Sequence, residues 1–325
     1  MERLSRARFE REAAVYDSAV GRAAEIDRYC SGVDWILSAA DAWPGGGEFL
    51  ACRRGDDHVV LQSVAAPSGR VLLLPLEHVW GFASPLVGEG SPALLRELCA
   101  VARWDLLLLS GIPPRSKLLH SILDASLGQW RPEGGITRRR ADITGGLGGY
   151  LSRRTPHFRR RSRETMRRVA RAGIAFEPLS LPPGPLIDRL IKIEAKSWKG
   201  VSSAGLFDKP LERFYRALAA RLSAAGALRL LLARKGGEDV GYVLGGVARG
   251  IYRGFQFSYD RAFARLSLGN ALQVAQIDAL AAEGVATYDL GMDMEYKRRF
   301  AEEAFATIAM VAVNPSPPPA PSRSP

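Results

Sequence analysis

The sequence predicts an α+β protein in which helices pack on mixed, mainly antiparallel sheets. The first observation is the order of elements, because apolar residues at helical spacing alternate with short apolar runs of strand length. The second is a meander of three strand-like runs in the second half, two of them joined by Lys235-Gly236-Gly237. The third is the length, since 325 residues fit two domains of roughly 150 residues each. In such a layout, helices bury one face of each sheet.

The first half begins with a helical pattern and continues with short strands. Phe9 and Tyr16 share one helical face, which predicts a helical segment up to about residue 37. A Trp-Pro-Gly-Gly-Gly turn follows at 43–47. Ser91 is the expected cap of a later helix, with Pro92 at its first position. The predicted strands are 49–53, 59–64, 71–74 and 106–109, and the predicted helices are 91–101 and 117–127.

The second half repeats this order of elements more clearly. Its predicted strands are 174–177, 228–233, 240–247, 250–259, 286–290 and 308–313. Its predicted helices are 153–172, 186–198, 209–225 and 267–283, with a proline-rich connection at 179–185. The two halves share no sequence-level repeat, so a duplication is inferred from element order alone.

These patterns divide the chain into domains at 1–145 and 146–313. Residues 314–325 are nearly all Pro, Ser and Ala and cannot build a core, which predicts a disordered tail. No apolar run approaches the ~18 residues of a membrane span. The charged N-terminus lacks the pattern of a signal peptide, so we expect a cytoplasmic protein.

Charge and cysteine content narrow the functional classes. The net charge of +11 favours polyanionic partners such as nucleic acid, phosphorylated cofactors or an anionic membrane surface. Nine arginines fall within residues 153–171, where they form either a solvated helix face or a phosphate-binding surface. Cys30, Cys52 and Cys99 are widely spaced and the four histidines are scattered, so neither a disulfide framework nor a zinc site is predicted. The thiols are expected to be buried or half-buried.

The most informative stretch is the predicted strand, loop and helix around Gly269. A strand ends at Tyr259-Asp260, a loop leads through Gly269 into a helix, and the next strand ends at Asp289-Leu290-Gly291. The first turn of a helix has free N–H groups at the positive end of the helix dipole, where phosphate binds readily. A glycine lets the backbone approach a ligand closely. The arrangement suits a pyrophosphate-bearing ligand beside a splayed strand, and it also suits an ordinary tight turn.

These motifs resemble those of the GNAT superfamily of acyltransferases, in particular the acetyltransferase branch related to the Fem peptidyltransferases and the CelD-type proteins. The matching segments, in chain order, are Arg159-Arg-Arg-Ser-Arg163, Ser197-Trp-Lys199, Tyr259-Asp260, Ser267-Leu-Gly-Asn-Ala271, Asp289-Leu-Gly291 and Tyr296-Lys297. Their order and spacing match over about residues 142–300. The N-terminal half resembles the degenerate first domain of this branch, which implies tandem GNAT-like domains. One position departs from the pattern, because Leu266 stands where the family loop has Arg or Gln.

The resemblance implies acyl-CoA, most simply acetyl-CoA, as co-substrate, with no metal. The residues implied to bind it are Arg265, Ser267, Leu268, Gly269, Asn270 and Lys297, and those implied to bind the acceptor are Trp198, Lys199 and Asp293. Asp260 is the candidate general base or amine-orienting residue, with Glu194 and Asp293 as substitutes. Tyr259 or Tyr296 could protonate the leaving thiolate.

Each of these residues also has a purely structural interpretation. Asp260 could cap a turn, and Tyr259 could be a half-buried strand residue. Trp198 could be a core residue at the end of its helix, and Lys297 a solvated lysine. The segment around Ser202 and Ser203 is expected to cover the site.

Three functions from different classes follow. The first is an N-acyltransferase that moves an acyl group from acyl-CoA to an amine of a small molecule, sugar or amino acid. The second is an aminoacyl-tRNA-dependent transferase, as in the Fem relatives, in which the basic helix would bind tRNA. The third is a catalytically inactive basic binding protein on the same fold.

Overall fold

The computed structural model describes residues 1–43, 47–77, 79–125, 127–179, 183–202 and 205–315. The chain forms two compact units. The N-terminal unit contains the chain up to Ile136 and the segment that begins at Ala306, and the C-terminal unit is Thr137–Phe305.

Helices and strands alternate along the whole chain. The strands are β1 (Glu2–Leu4), β2 (Glu48–Arg54), β3 (Asp57–Ala65), β4 (Val71–Pro75), β5 (Leu86–Val87), β6 (Leu106–Ile112), β7 (Gln129–Asp142), β8 (Ile174–Pro178), β9 (Leu228–Lys235), β10 (Glu238–Ala248), β11 (Ile251–Tyr259), β12 (Thr287–Met292) and β13 (Glu303–Val313). The helices are α1 (Arg6–Arg11), α2 (Ala13–Arg22), α3 (Val33–Ala42), α4 (Ser91–Val101), α5 (Lys117–Asp124), α6 (Gly146–Ser152), α7 (Pro156–Arg171), α8 (Pro183–Ala195), α9 (Trp198–Ser202), α10 (Lys209–Ala224), α11 (Leu268–Ala282) and α12 (Glu295–Arg298). Short 3₁₀ helices at Gly205–Phe207 and Arg261–Leu266 precede α10 and α11.

The N-terminal unit is built on a mixed sheet in the order β1-β2-β3-β4-β6-β13, with β5 beside β3. All neighbours are antiparallel except β4 and β6, which are parallel and are connected in the chain through β5 and α4. Leu94 and Leu98 of α4 pack with Leu61 of β3, Leu107 of β6 and Met310 of β13 in one apolar core. Burial of these side chains, at about 25 cal/mol per Å² of apolar surface, drives this packing.

The C-terminal unit repeats the same pairing scheme in the order β7-β12-β11-β10-β9-β8. Here β11 and β12 form the parallel pair, connected through α11, and the other neighbours are antiparallel. Leu272 and Ile277 of α11 pack with Tyr150, Val169 and Tyr288 in the core. The predicted α+β class and the predicted repetition of element order are both confirmed.

The closing strand of each sheet comes from the other half of the chain. β13, at the end of the chain, pairs with β6, whereas β7, which ends the first half, pairs with β12. The sequence-derived ranges 1–145 and 146–313 therefore differ from the two compact units. Asn314, the first residue of the predicted tail, donates its backbone N–H to the Asp105 carbonyl at 3.0 Å, and residues 316–325 lie outside the described residues.

Several predicted elements need correction. The N-terminal helical segment is three helices, α1 to α3. Gly90 precedes α4 as its cap, and the Ser91 hydroxyl instead donates to the Gly88 carbonyl at 2.7 Å. Trp198 begins α9 instead of ending the preceding helix, because α8 ends at Ala195. Residues 44–46 of the predicted turn, 180–182 of the predicted connection and Ser203 of the predicted covering segment lie outside the described residues.

Candidate functional site

A cleft opens in the C-terminal sheet where β11 and β12 part. The two strands are paired over three positions only, ending at Arg253 opposite Asp289. Beyond this pair, β11 continues beside β10 as far as Tyr259, and β12 continues beside β7 as far as Met292. The parallel strands therefore diverge, and we call the Arg253–Asp289 end of the gap the apex.

Both strands are irregular immediately beyond the apex. Gly254 and Gln256 pair with consecutive residues of β10, so Phe255 is an extra residue in β11. Leu290 is extra in β12 in the same way. A bulge leaves a residue out of the ladder and bends its strand, and bulges are common beside active sites. Both bulges therefore lie where the two parallel strands diverge.

The Asp289-Leu290-Gly291 motif builds the apex. Gly291 has φ +80°, which favours glycine, and its N–H donates to Asp289 Oδ1 at 2.8 Å. Arg253 Nη1 donates to the same oxygen at 2.5 Å. Burial alone would raise the pKa of Asp289, but Arg253 and the nearby Arg138 and Arg140 hold that pKa below its usual value. The motif therefore shapes the strand around a buried ion pair.

The helix α11 begins beside the far end of β11. Ser267 precedes it in the left-handed conformation, with φ 57°, and the N–H groups of Leu268 and Gly269 stand in its first turn. A Cβ on Gly269 would lie 2.8 Å from Cε1 of Tyr259 and 3.4 Å from Phe257. The missing side chain thus lets α11 pack closely on β11, a role that the phosphate argument from sequence did not anticipate.

The residues predicted to bind the cofactor lie in two places, most of them around the start of α11 and one on α12. Leu268 is fully buried, so only its backbone could meet a ligand. Asn270 is half-buried in the first turn of α11. Arg265 is exposed, and its carbonyl accepts from Arg168 Nη1 of α7 at 3.3 Å. Lys297 lies instead on α12, beyond β12.

Tyr296 and Lys297 stand on the β12 side of the cleft. The Tyr296 ring lies 5.7 Å from the Phe257 ring, and burial raises the pKa of its hydroxyl. Lys297 Nζ donates to the Met292 carbonyl at 3.0 Å. Burial and the Arg253 charge lower the pKa of Lys297 to about 8. Because Phe257 contacts both Tyr296 and the position of Gly269, the structure brings α12, β11 and the start of α11 together.

Lys199 and Glu194 form a buried network on the other face of β11. Lys199 Nζ donates to Glu194 Oε1 at 2.7 Å and also bonds the Gln256 side chain of β11. Glu194 further accepts from the Tyr242 hydroxyl at 2.6 Å and from the Leu206 N–H at 2.8 Å. Three donors thus hold the Glu194 carboxylate of α8 in place, one each from α9, the 3₁₀ helix at Gly205–Phe207 and β10. Burial lowers the pKa of Lys199, which Glu194 opposes.

Two predicted polar residues are held by local contacts, and one aromatic is exposed. Asp260 caps the 3₁₀ helix at Arg261–Leu266, where its Oδ1 accepts from the Ala262 N–H at 2.9 Å. Asp293 accepts hydrogen bonds from Arg139 and Arg298, which hold its pKa below the usual range. Trp198 is 57% exposed and thus lies at the surface.

Sequence reasoning missed Arg138, Arg140, Arg253 and the bulge at Phe255. Arg253 sits in an apolar strand next to Gly254, and a charged residue inside such a run was the signal that could have identified it. The bulge has no comparable signal, because it appears only when two strands are aligned.

The helix α4 is the counterpart of α11 in the N-terminal unit. α4 follows the first strand of that unit's parallel pair, as α11 does in the C-terminal unit. At its start, Asp57 Oδ1 accepts the Gly90 N–H at 2.8 Å, and Pro92 has no N–H to donate. The chain's own carboxylate thus accepts a hydrogen bond at the start of α4.

The structure also bears on metals, membranes and thiols. Within the described ranges, no group of three His, Cys, Asp or Glu side chains is arranged to hold a metal ion. No helix among these residues has the length and apolar content of a membrane span. Cys30, Cys52 and Cys99 are all buried.

Comparisons with known proteins agree with this geometry. A family model described as an acetyltransferase (GNAT) domain matches residues 156–298. The solved structure of FemX is similar, with a TM-score of 0.65 and 11% identity over 95% of this chain and 97% of FemX. The structure of L-PGS from Bacillus licheniformis is similar with a TM-score of 0.58 and 12% identity, over 91% of this chain and 90% of L-PGS. A tandem GNAT protein from the clavulanic acid biosynthesis pathway is similar with a TM-score of 0.50 and 14% identity, over 97% of this chain and 98% of that protein. A search of curated protein sequences gives no match.

At these identities the structural likenesses establish the fold, and the family model establishes the domain. The model spans β11, α11, β12 and α12, which are the elements that form the cleft. This favours a transferase over the inactive binding protein considered from the sequence. Residues 156–298 thus match a GNAT acetyltransferase domain, in a chain whose fold is similar to those of FemX and of a tandem GNAT protein, and this match supports a transferase.

Proposed function

We propose that the protein is an acyl-CoA-dependent N-acyltransferase that moves an acyl group, acetyl in the simplest case, to an amine of a small molecule, sugar or amino acid. The observation that carries this proposal is the divergence of β11 and β12 beside the start of α11. The cleft offers an extended path for a pantetheine chain, and the first turn of α11 offers N–H groups to a pyrophosphate. In the N-terminal unit, the Asp57 carboxylate accepts a hydrogen bond at the start of α4.

The reaction needs donors for the thioester oxygen and a proton for the leaving group. We assign the first task to the Lys297 ammonium on α12. The amine nitrogen attacks the thioester carbon, the carbon–sulfur bond breaks, and Tyr296 gives its proton to the thiolate. Burial raises the pKa of the Tyr296 hydroxyl, so this group carries the proton that is donated. The amine releases its own proton to solvent, and the Tyr296 phenolate takes a proton back from solvent.

Asp260 is not assigned a proton transfer in this proposal. It lies five residues beyond Phe255, about 16 Å along an extended strand, and caps a turn near α11. Tyr259 is likewise assigned a packing role against Gly269. The proposal therefore places the chemistry at the apex end of the cleft and the nucleotide end of the donor near Asp260.

Asn270→Asp tests the donor site. A carboxylate in the first turn of α11 favours the helix but repels a pyrophosphate, so stability should hold while the acetyl-CoA Kd rises about tenfold. Calorimetry with acetyl-CoA and longer acyl-CoAs measures this. Lys209→Gln is the control, because it makes the same one-unit charge change on an exposed lysine that begins α10. Failure of the unmodified protein to bind any acyl-CoA, or equal binding by Asn270→Asp, would contradict the proposal.

A second candidate donor is aminoacyl-tRNA, and the observation that favours it is the exposed face of α7. Arg160, Arg163, Arg167 and Arg171 are exposed and recur every three or four residues, so they form one stripe along the helix. The phosphate backbone of a nucleic acid would match such a stripe.

The two donors are separated by salt dependence. Binding of charged tRNA should weaken steeply with salt, with a logarithmic slope set by the number of phosphates neutralised. Arg163→Gln together with Arg167→Gln should lower that slope by about two. Transfer from charged tRNA, with no transfer from acyl-CoA, would replace the first proposal by the second.

A further inference from the structure

Three arginines converge on one carboxylate at the apex of the cleft. Arg253 Nη1 lies 2.5 Å from Asp289 Oδ1, and Arg138 Nη2 and Arg140 Nε each lie 3.6 Å from Asp289 Oδ2. We call Arg138, Arg140 and Arg253 the apex arginines. Like charges on neighbouring strands normally repel each other, so their concentration around a single Asp289 calls for an explanation.

The apex arginines lie on the face of the sheet opposite α11. Side chains alternate between the two faces along a strand. Tyr252 and Tyr288 pack in the core that contains α11, so Arg253 and Asp289, the next residues on each strand, point the other way. Arg140 of β7 pairs with Asp289 of β12, so the two side chains lie on the same face of the sheet. A donor that enters from α11 would therefore meet these arginines on the far side of the cleft, where an acceptor must approach.

The apex arginines differ in access to solvent. The side chains of Arg138 and Arg253 are 1% and 3% exposed, whereas that of Arg140 is 27% exposed. The guanidinium carbons of Arg138 and Arg140 lie 4.4 and 3.9 Å from the centre of the Phe305 ring. Phe305 thus holds both planar groups, and Arg140 is the one that a ligand can reach.

From these observations we propose that Arg140, supported by Arg138 and Arg253, binds a carboxylate or phosphate group of the acceptor. The acceptor class is then an amine that carries an anionic group, such as an amino acid or an amino-sugar phosphate. A planar guanidinium matches both anions through paired hydrogen bonds, and the neighbouring positive charges strengthen that binding in a partly buried place. This inference rests on the proposed function, because it names the acceptor of the same transfer.

Anion binding at Arg140 can be measured without knowing the acceptor. Inorganic phosphate and succinate, a dicarboxylate, are titrated by calorimetry into protein saturated with coenzyme A, which occupies the start of α11. We expect at least one of them to bind, and its Kd to rise tenfold or more in Arg140→Met. Arg96→Met is the control, because it removes a charge from an exposed residue of α4 in the N-terminal unit. Absence of binding by both anions, or an unchanged Kd in Arg140→Met, overturns the inference.

Arg140→Lys guards against a merely structural effect. It keeps the charge and the alkyl chain but not the planar fork, and both variants are first compared with the unmodified protein for thermal stability. Partial recovery of anion binding in Arg140→Lys supports a binding role. Equal loss in both variants together with a lowered Tm assigns Arg140 to the fold and overturns the inference.

The acceptor class is tested by transfer assays with matched amines. An amino acid is compared with its amide, and an amino sugar phosphate with the free amino sugar, each with the donor that binds. The anionic member of a pair should have a KM at least tenfold lower, and Arg140→Met should remove that preference. If coenzyme A does not bind, the proposed function fails, but the anion titration on the free protein still reports on Arg140.

Discussion

Lys297 lies beside the apex, where its surroundings change its proton affinity. Burial, with the Arg253 charge added, lowers its pKa to about 8. In the proposed mechanism only the ammonium form stabilises charge on the thioester oxygen. We therefore expect kcat to fall as pH rises through about 8, which a kcat profile between about pH 6.5 and 9.5 measures.

Two variants of Lys297 make this profile decisive. Lys297→Arg stays charged over the whole range, so its profile should lack the falling limb. Lys297→Met should lose about a hundredfold in kcat, again without that limb. A kcat that instead rises through pH 8 would identify neutral Lys297 as a base.

His58 on β3 gives a prediction about stability. It is 1% exposed, and neither ring nitrogen has a hydrogen-bond partner within the described part of the chain. Burial lowers its pKa to about 4, below the ~6.5 of an unfolded chain, so the unfolded state binds more protons between these values. The stability that His58 contributes is complete above pH 6.5 and is lost as pH falls towards 4, by up to about 3 kcal/mol.

His58→Phe should abolish this pH dependence and raise stability at pH 5. The phenyl ring keeps the edge contact with Tyr16, whose ring centre lies 5.2 Å away, and has no nitrogen to protonate. Urea unfolding at pH 7 and pH 5 measures the difference. His157→Phe, at an exposed position of α7, should leave it unchanged.

Some roles of single residues could be predicted from the sequence and others could not. The structural alternatives for Asp260 and Tyr259, a cap and a half-buried strand residue, describe what the structure shows. The role of Asp289 could not be predicted, because its arginine partners lie 36 and about 150 positions away in the chain. Such partners become neighbours only through strand pairing.

The packing of α11 on β11 sets the geometry of the donor site at the scale of elements. Gly269→Ala would place a Cβ 2.8 Å from Tyr259 Cε1, and the stiff ring and the helix would have to move apart. We expect a loss of about 1–3 kcal/mol in unfolding free energy and weaker acyl-CoA binding. Chemical denaturation and calorimetry check the two effects.

A double variant separates this clash from other effects of alanine. Tyr259→Leu removes the ring, so Gly269→Ala should cost less in that background. Gly148→Ala is the matched control, because Gly148 lies within α6 with no atom within 4 Å of its would-be Cβ and should gain slightly from alanine. Equal costs of Gly269→Ala in both backgrounds would refute the proposed contact.

Helices and strands were predicted well from the sequence where the apolar residues follow a single helical or strand-like spacing. β2, β3, β6 and α10 lie close to their predicted ranges, because their apolar faces are clear. β7 was missed, since its arginines resemble a solvated loop until the buried ion pairs with Asp289 are known. The start of α11 was identified from helix-end chemistry, but its close contact with Tyr259 was not.

At the scale of the whole molecule, the pairing scheme makes a prediction about β13. Met310 is 4% exposed in the core of the N-terminal unit, although it lies near the end of the chain. Met310→Ala should cost about 2–5 kcal/mol. Amide hydrogen exchange should quicken in α4 and β6, with β10 and α11 unaffected.

The control for Met310 is Met292→Ala, because Met292 is 47% exposed and its truncation should have little effect on stability. Faster exchange in β10 and α11 in Met310→Ala would contradict the assignment of β13 to the N-terminal unit.

The α+β class and the repeated element order were predictable from local patterns, whereas the closing strands were not. Strand exchange between halves leaves no local trace in the sequence.

The closing strands also matter for the order in which the protein is made. A ribosome completes β1 to β6 early, but β13, which pairs with β6, is synthesised only after the whole C-terminal unit. The N-terminal sheet therefore stays unfinished while the C-terminal unit is made, and β7 waits for β12. Because pairing between distant segments is slow, both sheets are completed only after β12 and β13 have been synthesised. If the gene were split between its two halves, the N-terminal product would lack β13 and the C-terminal product would lack β7.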